Sequence, residues 1–448
     1  MVKVIVADRK YDVPELLGQF LDESHYDLLI EEDCDVYAPA GCDLGEVASC
    51  DKDCSTCDKG TDENKIIFKF RKNFFSKEEQ DAAYAGLREA ATETQNRGLA
   101  AGPRAEKLGN REWVTEYEYD IIDYFSNPKA NLFGADPIEE IREAHRNKKP
   151  SPSNRNNVWG ISTVQKDGFE FEAWVNTTKN LPADEMKAEA KRVADKYICA
   201  TTYANGVMSG IAGWYDRYPR IPYGRATSYT QREPAKFAMS YPFLQTLAKG
   251  FKDLLPWRFK NQMEAAKKLD PRFLVPGTPF TTITVNKTFR TAAHYDAGDL
   301  TTGLSNLLVL SNNGNYTGGY LIAPEYRVAV NVRPGDLLLI NNHEVMHGNT
   351  PIVLGDEEAE RVSLVCYFRE KMLELGSKEY EDTRYDYVES RRKNPDHPEQ
   401  RPLWNGVSAG MWSDKEWYDF CESKLGRVEL LKYHPEAEGK QSLEEFFG

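Results

Sequence analysis

No run of 18 or more apolar residues occurs in the 448-residue sequence, which excludes a conventional membrane-spanning helix. The opening MVKVIVADRKYDVPELL lacks the basic-then-apolar order of a secretory leader, so a soluble, intracellular protein of cytoplasm or nucleus/nucleoid is expected. Positive charge is in short supply, with 57 Lys+Arg against 71 Asp+Glu, a net charge of −14 and a pI of about 5.2. Taken alone, that balance argues against DNA as a partner. No internal repeat is present, which argues against a solenoid or propeller. Cysteine is sparse outside one window: five of the eight (Cys34, Cys42, Cys50, Cys54, Cys57) fall within 24 residues. What is present supports a folded core. Apolar residues make up 40% and aromatics 12%, and the length suits one large domain or two to three modest ones.

The acidity is unevenly spread. Residues 1–65 hold 6 Lys/Arg against 17 Asp/Glu, and residues 371–448 hold 12 against 17. Residues 209–269 reverse the sign with 11 basic and 4 acidic side chains, including Arg217, Arg220, Arg225, Arg232, Lys236, Lys249, Lys252, Arg258 and Lys260. A basic face there permits phosphate contacts without demonstrating them, and a solvated helix face explains some of the same charges.

Histidine is rarer still, with 7 in the chain, and three of those lie near acidic or turn residues in a suggestive order. His294 and Asp296 sit in TFRTAAHYDAGDL, His347 follows in EVMHGNTPI, and Arg361 opens RVSLVCYF. Two imidazoles and a carboxylate can occupy one face of an iron(II) octahedron and leave three positions open. An HxD pair on extended backbone points both side chains to one side, because strand residues alternate faces. The third ligand must then come from another strand. A guanidinium such as Arg361 suits a carboxylate, which it grips with two parallel hydrogen bonds. Together the four residues read as an iron and 2-oxoglutarate dioxygenase site.

The surroundings strengthen that reading against a chance HxD in a solvated turn. Residues 280–289, 305–311, 318–323, 328–332 and 361–368 are short runs rich in β-branched or apolar residues, and DLLLINN adds another. NNGNYTGG and RPGD mark tight connections. An all-β region with ligands at both ends suggests a barrel or jelly roll whose mouth holds the metal. His343 competes with His347, because HEVMH has the i, i+4 spacing of zinc-hydrolase helices. Asn342 and Gly348 bracket that stretch and no long amphipathic run surrounds it, so His347 is taken as the ligand and His343 as a loop or supporting group.

The quoted segments resemble a known family. VNKTFRTAAHYDAGD, YTGGYLIAPEYRVAVNVRPGDLLLINN, HGNTPI and RVSLVCYF are similar to the TET/JBP branch of the 2-oxoglutarate oxygenases, which oxidise the 5-methyl group of thymine or 5-methylcytosine in nucleic acid. The resemblance extends upstream to GIAGWYDRYPRIPYGRATSYT at 210–230. It implies iron held by His294, Asp296 and His347, 2-oxoglutarate and O2 as cosubstrates, and Arg361 on the distal carboxylate. Ser363, on the same strand face, and Asn286 are further candidates for the cosubstrate. Arg290 is a candidate for substrate or cosubstrate, against a plain surface charge. A base in duplex DNA must be flipped out to reach such a metal, or the enzyme must act on a single strand. Tyr215, Tyr218, Tyr223, Tyr229 and Tyr295 are candidates to stack on it, although most tyrosines in a domain this size are packed. The same metal site would serve an oxygenase acting on a protein side chain or small metabolite. A metal-bearing scaffold with a degenerate site is the non-enzyme alternative, and the intact ligand set argues against it.

The expected fold is α+β: a double-stranded β-helix (jelly-roll) oxygenase core with flanking helices and a small N-terminal cysteine-rich α/β module. The expected divisions are an acidic Cys-rich module at 1–63 and an α/β extension at 64–150. The dioxygenase domain follows at 158–371, with its core at 280–371, and then a charged helical segment at 372–448. SKEEQDAAYAGLREAATETQNRG predicts one helix with a serine cap. PELLGQFL predicts a short helix, and RNKKPSPSNRNN at 146–157 a linker. Cys42, Cys50, Cys54 and Cys57 suit a tetrahedral zinc site able to order a segment with little core. Their C-x3-C-x2-C part also matches the cluster spacing of radical S-adenosylmethionine enzymes, and a metal-free cluster is the third alternative.

Overall fold

The structure is a computed structural model that describes residues 2–41, 44, 63–94, 96–103, 114–116, 119–124, 158–166, 169–177, 182, 185, 188, 205–218, 221–392, 412 and 415–439. Cys42, Cys50, Cys54 and Cys57 lie outside these residues, as does the linker at 146–157. Cys34 lies within them as a buried free thiol.

In chain order, β1 (Lys3–Val6), β2 (Leu28–Ile30), β3 (Cys34–Tyr37) and β4 (Ile66–Arg71) come first. Helix α1 (Lys77–Leu87) begins at Ser76, whose hydroxyl accepts from Glu79 N while the Glu79 carboxylate returns to Ser76 N. This reciprocal cap satisfies two backbone donors that the first helical turn leaves open. The helix is shorter than its sequence suggests. It passes through a 3-10 turn at Arg88–Ala90 into strand β5 (Thr92–Thr94), whose β-branched residues pair with a later strand. PELLGQFL likewise forms only a 3-10 turn at Pro14–Leu16. Gly18 and Gln19 instead hydrogen-bond across to Ala293, at 2.8 Å each way, and that tertiary pairing displaces a helix.

Strands β6 (Val114–Glu116), β7 (Tyr119–Tyr124), β8 (Val158–Lys166) and β9 (Phe169–Thr177) form a separate antiparallel sheet in the order β6-β7-β9-β8. Then follow β10 (Val207–Tyr215), β11 (Arg225–Ala226) and four helices: α2 (Ser228–Arg232), α3 (Pro234–Met239), α4 (Tyr241–Leu254) and α5 (Pro256–Lys267). The chain then forms β12 (Thr282–Lys287), β13 (Ser305–Ser311), β14 (Tyr316–Gly318), β15 (Leu321–Ala323) and β16 (Val328–Val330). It continues with β17 (Leu337–Ile340), β18 (Gly348–Asn349), β19 (Ile352–Leu354) and β20 (Arg361–Tyr367). All the strands expected between 280 and 368 are present. Helices α6 (Lys378–Arg392), α7 (Lys415–Leu425) and α8 (Arg427–Tyr433) close the described chain.

A ten-stranded sheet runs β1-β3-β4-β17-β13-β20-β12-β10-β11, with β5 also paired to β10. A second sheet runs β18-β15-β16-β2, and β14 pairs with β19. Every residue of β13 is buried, because its two faces serve two cores. Leu308 and Leu310 pack with Val362, Leu364 and the α4 residues Leu244, Leu247 and Phe251. Leu307 and Val309 face the other way, toward Leu338, Leu321, Val328 and Val330 of the opposing strands. Each fully buried Leu or Phe contributes about 1.5–3 kcal/mol. On β20 the same alternation leaves Arg361, Ser363, Val365 and Tyr367 on the inner face, where a cavity opens. Sheet register is strict here, since a slip of one residue would exchange these for Val362 and Leu364.

The C-terminal helices pack onto the chain before the first helices of the core. Glu381 of α6 is fully buried, accepts from Gly224 N at 2.7 Å and Gly376 N at 2.8 Å, and pairs with Arg217. No helix among the described residues is long and apolar enough to cross a membrane.

Candidate metal centre and its cavity

His294 and His347 meet through a two-residue antiparallel bridge: each backbone N–H donates to the other's carbonyl at 2.9 Å. That pairing sets the imidazole centroids 4.4 Å apart. Asp296 lies on the same side as His294, as the i, i+2 spacing requires, with Oδ1 3.4 Å from His294 Nε2 and Oδ2 4.0 Å from His347 Nε2. The ligand atoms of the three residues all lie within 4.8 Å of one another, the only such group of three among the described residues.

Both imidazoles are oriented from behind. His294 Nδ1 donates to Ala292 O at 2.7 Å and His347 Nδ1 to Val345 O at 3.0 Å. A carbonyl can only accept, so each Nδ1 carries the proton and each Nε2 lone pair faces the other ligands. Asn342, read in the sequence only as a bracket of the His343–His347 stretch, fixes the carboxylate: its Nδ2 donates to Asp296 Oδ2 at 2.9 Å and its backbone carbonyl accepts from Asp296 N at 3.0 Å. His343 sits in a turn rather than a helix, and its Nδ1 donates to the Asp296 carbonyl at 3.2 Å. It supports the backbone of the cluster, so the zinc-hydrolase helix is absent.

Electrostatics fit a cation. Burial would raise the Asp296 carboxyl, yet the neighbouring His294 and His347 imidazoles and the Asn342 amide outweigh that and hold it below the usual carboxylate range. Burial, reinforced by the neighbouring His294, pulls His347 down to about 4 and so keeps a lone pair available. Burial also works against charge on His294, but the Asp296 carboxylate prevails and raises it.

The cluster opens into a cavity of about 760 Å³ that also reaches Arg361, Ser363 and Asn286. Arg361 is 2% exposed, its Nη2 donates to Gly319 O at 3.2 Å, and its Nε has no hydrogen-bond partner. Burial lowers its pKa, and no carboxylate pairs with it among the described residues. Gly319 allows this approach: at φ +69° an added Cβ would stand 3.0 Å from Arg361 Nε. A buried cation facing a cavity without a counter-charge fits an incoming carboxylate. Ser363 pairs across the sheet with Asn286, which accepts from the Ser209 hydroxyl.

Other expected site residues lie elsewhere. Arg290 does not line the cavity; its Nη2 donates to Leu21 O at 2.6 Å and its guanidinium stacks on Phe20. Tyr223 and Tyr229 are packed, Tyr229 donating to Gly86 O at 2.7 Å, and Tyr218 is exposed away from the site. Tyr215 and Tyr295 do line the cavity. The basic face of 209–269 is partly consumed by structure. Arg258 is fully buried, with its pKa pushed down to about 10 by burial, and donates to the carbonyls of Gly303 and Leu44. Arg217 and Lys236 are in ion pairs, whereas Lys249, Lys252 and Lys260 remain on the surface of α4 and α5.

Several cavity residues went unread in the sequence. Tyr367 and Arg369 follow Arg361 at even spacing, so strand alternation would have found them. Arg369 ion-pairs with Asp216 at 2.5 Å and lies over the Tyr215 ring. Asp299 accepts from the Ser305 hydroxyl, and burial, with the Asp296 charge beside it, raises its pKa well above the carboxylate range. Thr92, Glu93, Thr94, Asn96 and Arg97 come from a segment whose sequence resembled helix and offered no such signal.

Residues 210–370 match the family model described as the oxygenase domain of the 2OGFeDO superfamily (Tet_JBP). The "Bifunctional helicase and thymine dioxygenase JBP2" of Leishmania infantum is 36% identical over 266 residues, covering 53% of this chain and 24% of the relative. The "Thymine dioxygenase JBP1" of Trypanosoma brucei brucei is 36% identical over 166 residues, covering 36% of this chain and 19% of the relative. The chain thus spans about a quarter or less of the length of these curated relatives. Among solved structures, NgTET1 in complex with 5mC DNA aligns with a TM-score of 0.33 and 18% identity, over 48% of this chain and 78% of that one. The superfamily implies iron(II), 2-oxoglutarate and O2. Residues 210–370 are therefore a TET/JBP-like oxygenase domain of the iron- and 2-oxoglutarate-dependent superfamily.

Proposed function

We propose that the chain is an iron(II)- and 2-oxoglutarate-dependent dioxygenase that hydroxylates the 5-methyl group of a pyrimidine, thymine or 5-methylcytosine, in DNA. The observation that carries this is the opening of one cavity onto both the His294–Asp296–His347 cluster and the unpaired, buried Arg361. In this reading the dioxygenase core at 280–371 is a jelly roll: β17-β13-β20-β12 form one sheet and β18-β15-β16 the facing one. The metal cluster lies where β18 meets the segment carrying His294.

His294, Asp296 and His347 would hold the iron, and the chemistry it would supply is hydroxylation of a C–H bond coupled to oxidative decarboxylation of 2-oxoglutarate. Arg361 receives the distal carboxylate of the cosubstrate, with Ser363 and Asn286 beside it. Asn342 and the two Nδ1–carbonyl bonds keep the ligand set aligned so that no reorganisation is needed when the metal enters. The remaining wall includes Tyr295 and Tyr367 as candidates to stack on a base, while the Tyr215 ring is covered by Arg369, and the cavity volume admits a flipped nucleotide rather than a base still stacked in a duplex. Both relatives named above are thymine dioxygenases, which favours thymine as the base.

The test is anaerobic loading with iron(II), then oxygen and 2-oxoglutarate with thymine- or 5-methylcytosine-containing DNA, read as oxidised nucleosides by mass spectrometry. 5-Hydroxymethyl nucleosides formed in step with succinate are expected. Succinate made only with peptides would move the substrate to a protein side chain. Absence of both iron binding and succinate would leave a scaffold with an inactive site.

A further inference from the structure

Part of the cavity wall comes from outside the 210–370 domain. The Thr92–Thr94 strand pairs with β10, Ala292 N donates to Ala100 O at 2.9 Å, and Asn205 Nδ2 donates to Ala101 O at 2.9 Å. The segment between is therefore stitched to the oxygenase core on both sides. Gly210 permits this approach, because a Cβ there would come within 1.8 Å of Ala90 O. From this segment Arg97 reaches the cavity, with its Nε buried and without a hydrogen-bond partner. Among the described residues no ion pair includes it, and its electrostatic neighbours are Tyr367, Tyr215 and Asp296.

A buried guanidinium nitrogen without a partner costs stability unless a ligand supplies the acceptor. The two residues that carry such nitrogens here, Arg97 and Arg361, line the same cavity. Arg361 opens β20, whereas the neighbours of Arg97 include Tyr367, which closes that strand. Tyr367 is six residues along β20 from Arg361, about 20 Å at roughly 3.3 Å per strand residue. A five-carbon diacid anchored at Arg361 does not extend across that span, and its other carboxylate is the one expected at the metal cluster. Arg97 is left for the substrate.

We propose that Arg97 is a substrate-positioning residue that binds a backbone phosphate of the nucleotide presented to the metal centre. This rests on the proposed function for its nucleic-acid substrate. A guanidinium fork suits phosphate oxygens, and a contact of this kind orients the strand without reading its sequence. The N-terminal extension thereby completes the substrate site.

The test compares wild type, Arg97→Gln and Arg97→Lys, each loaded with iron(II) and 2-oxoglutarate without oxygen. Binding to a thymine-containing oligonucleotide is measured by fluorescence anisotropy over a series of salt concentrations. Arg97→Gln is expected to weaken binding and to make the log–log salt slope shallower by about 0.7–0.9, the share of one phosphate. Arg97→Lys should keep the slope and lose part of the affinity, since it preserves charge but not the fork. A methylphosphonate next to the target nucleotide should weaken wild type similarly and cost Arg97→Gln nothing further. In turnover, KM for DNA should rise while KM for 2-oxoglutarate stays within about threefold. An unchanged salt slope in folded Arg97→Gln overturns the proposal, as does a rise confined to the KM for 2-oxoglutarate, which would put Arg97 on the cosubstrate. Wild type that binds DNA but makes no oxidised nucleoside would defeat the proposed function and leave the phosphate contact measurable.

Discussion

Replacing Arg361 by Met tests the cosubstrate site most directly, because the structure assigns opposite consequences to ligand binding and to folding. Methionine is of similar reach but carries neither charge nor hydrogen-bond donors. The guanidinium is 2% exposed, its Nε is unsatisfied, and no carboxylate among the described residues balances it. An entering carboxylate would therefore form a desolvated, hydrogen-bonded charge pair. Removing one partner of such a pair costs about 2–5 kcal/mol. At about 1.4 kcal/mol per tenfold, KM for 2-oxoglutarate should rise between about 30-fold and about 4,000-fold. Folding should respond differently. The apo protein loses one 3.2 Å bond to Gly319 O, a contribution of about 0.5–1.5 kcal/mol, and is relieved of a buried unpaired cation. The apo melting midpoint should stay level or rise. Succinate formation against 2-oxoglutarate concentration gives the first quantity and scanning calorimetry of the metal-free protein the second. A KM within threefold of wild type in a folded Arg361→Met protein would refute the role given to Arg361. A large drop in apo stability would show that the guanidinium has an internal partner.

Three further outcomes are expected. His294→Ala should abolish iron binding and iron-dependent turnover while leaving near-UV circular dichroism largely intact; full activity in that variant would remove His294 from the ligand set. Gly319→Ala should lower stability by about 1–3 kcal/mol, from its φ of +69° and the 3.0 Å approach to Arg361 Nε, and should also weaken 2-oxoglutarate binding. Denaturant unfolding with parallel titration would measure both effects, and a neutral result in each would contradict the packing described. Glu360, which accepts from Tyr84 at 2.6 Å and from Arg88 at 2.7 and 3.0 Å, has a carboxyl that burial would raise but those partners hold below its usual range. A depressed carboxylate pKa gives stability that is complete above the unfolded value of 4.5 and is lost as pH falls through the folded value. Glu360→Gln should thus lose stability at neutral pH and show a shallower decline below pH 4.5; a parallel decline in both proteins would show that the pair contributes nothing.

The sequence alone determined the local parts of this protein. Alternating β-branched and apolar runs marked the strands between 280 and 368, and the Ser76–Glu79 pair marked where α1 begins, because both signals depend on residues close in the chain. The HxD spacing placed His294 and Asp296 on one side for the same reason. Tertiary structure decided the rest. The His294–His347 backbone bridge chose His347 over His343, which turned behind Asp296. Pairing with β10 drew residues 92–94 out of a helix-like sequence and brought Arg97 into the cavity, while packing took Arg258 and Tyr229 away from any ligand. Such outcomes depend on partners far apart in the chain, from 47 residues for His343 and Asp296 to 214 for Arg258 and Leu44. A side chain's local pattern records the face it occupies, but not what the folded chain sets against that face.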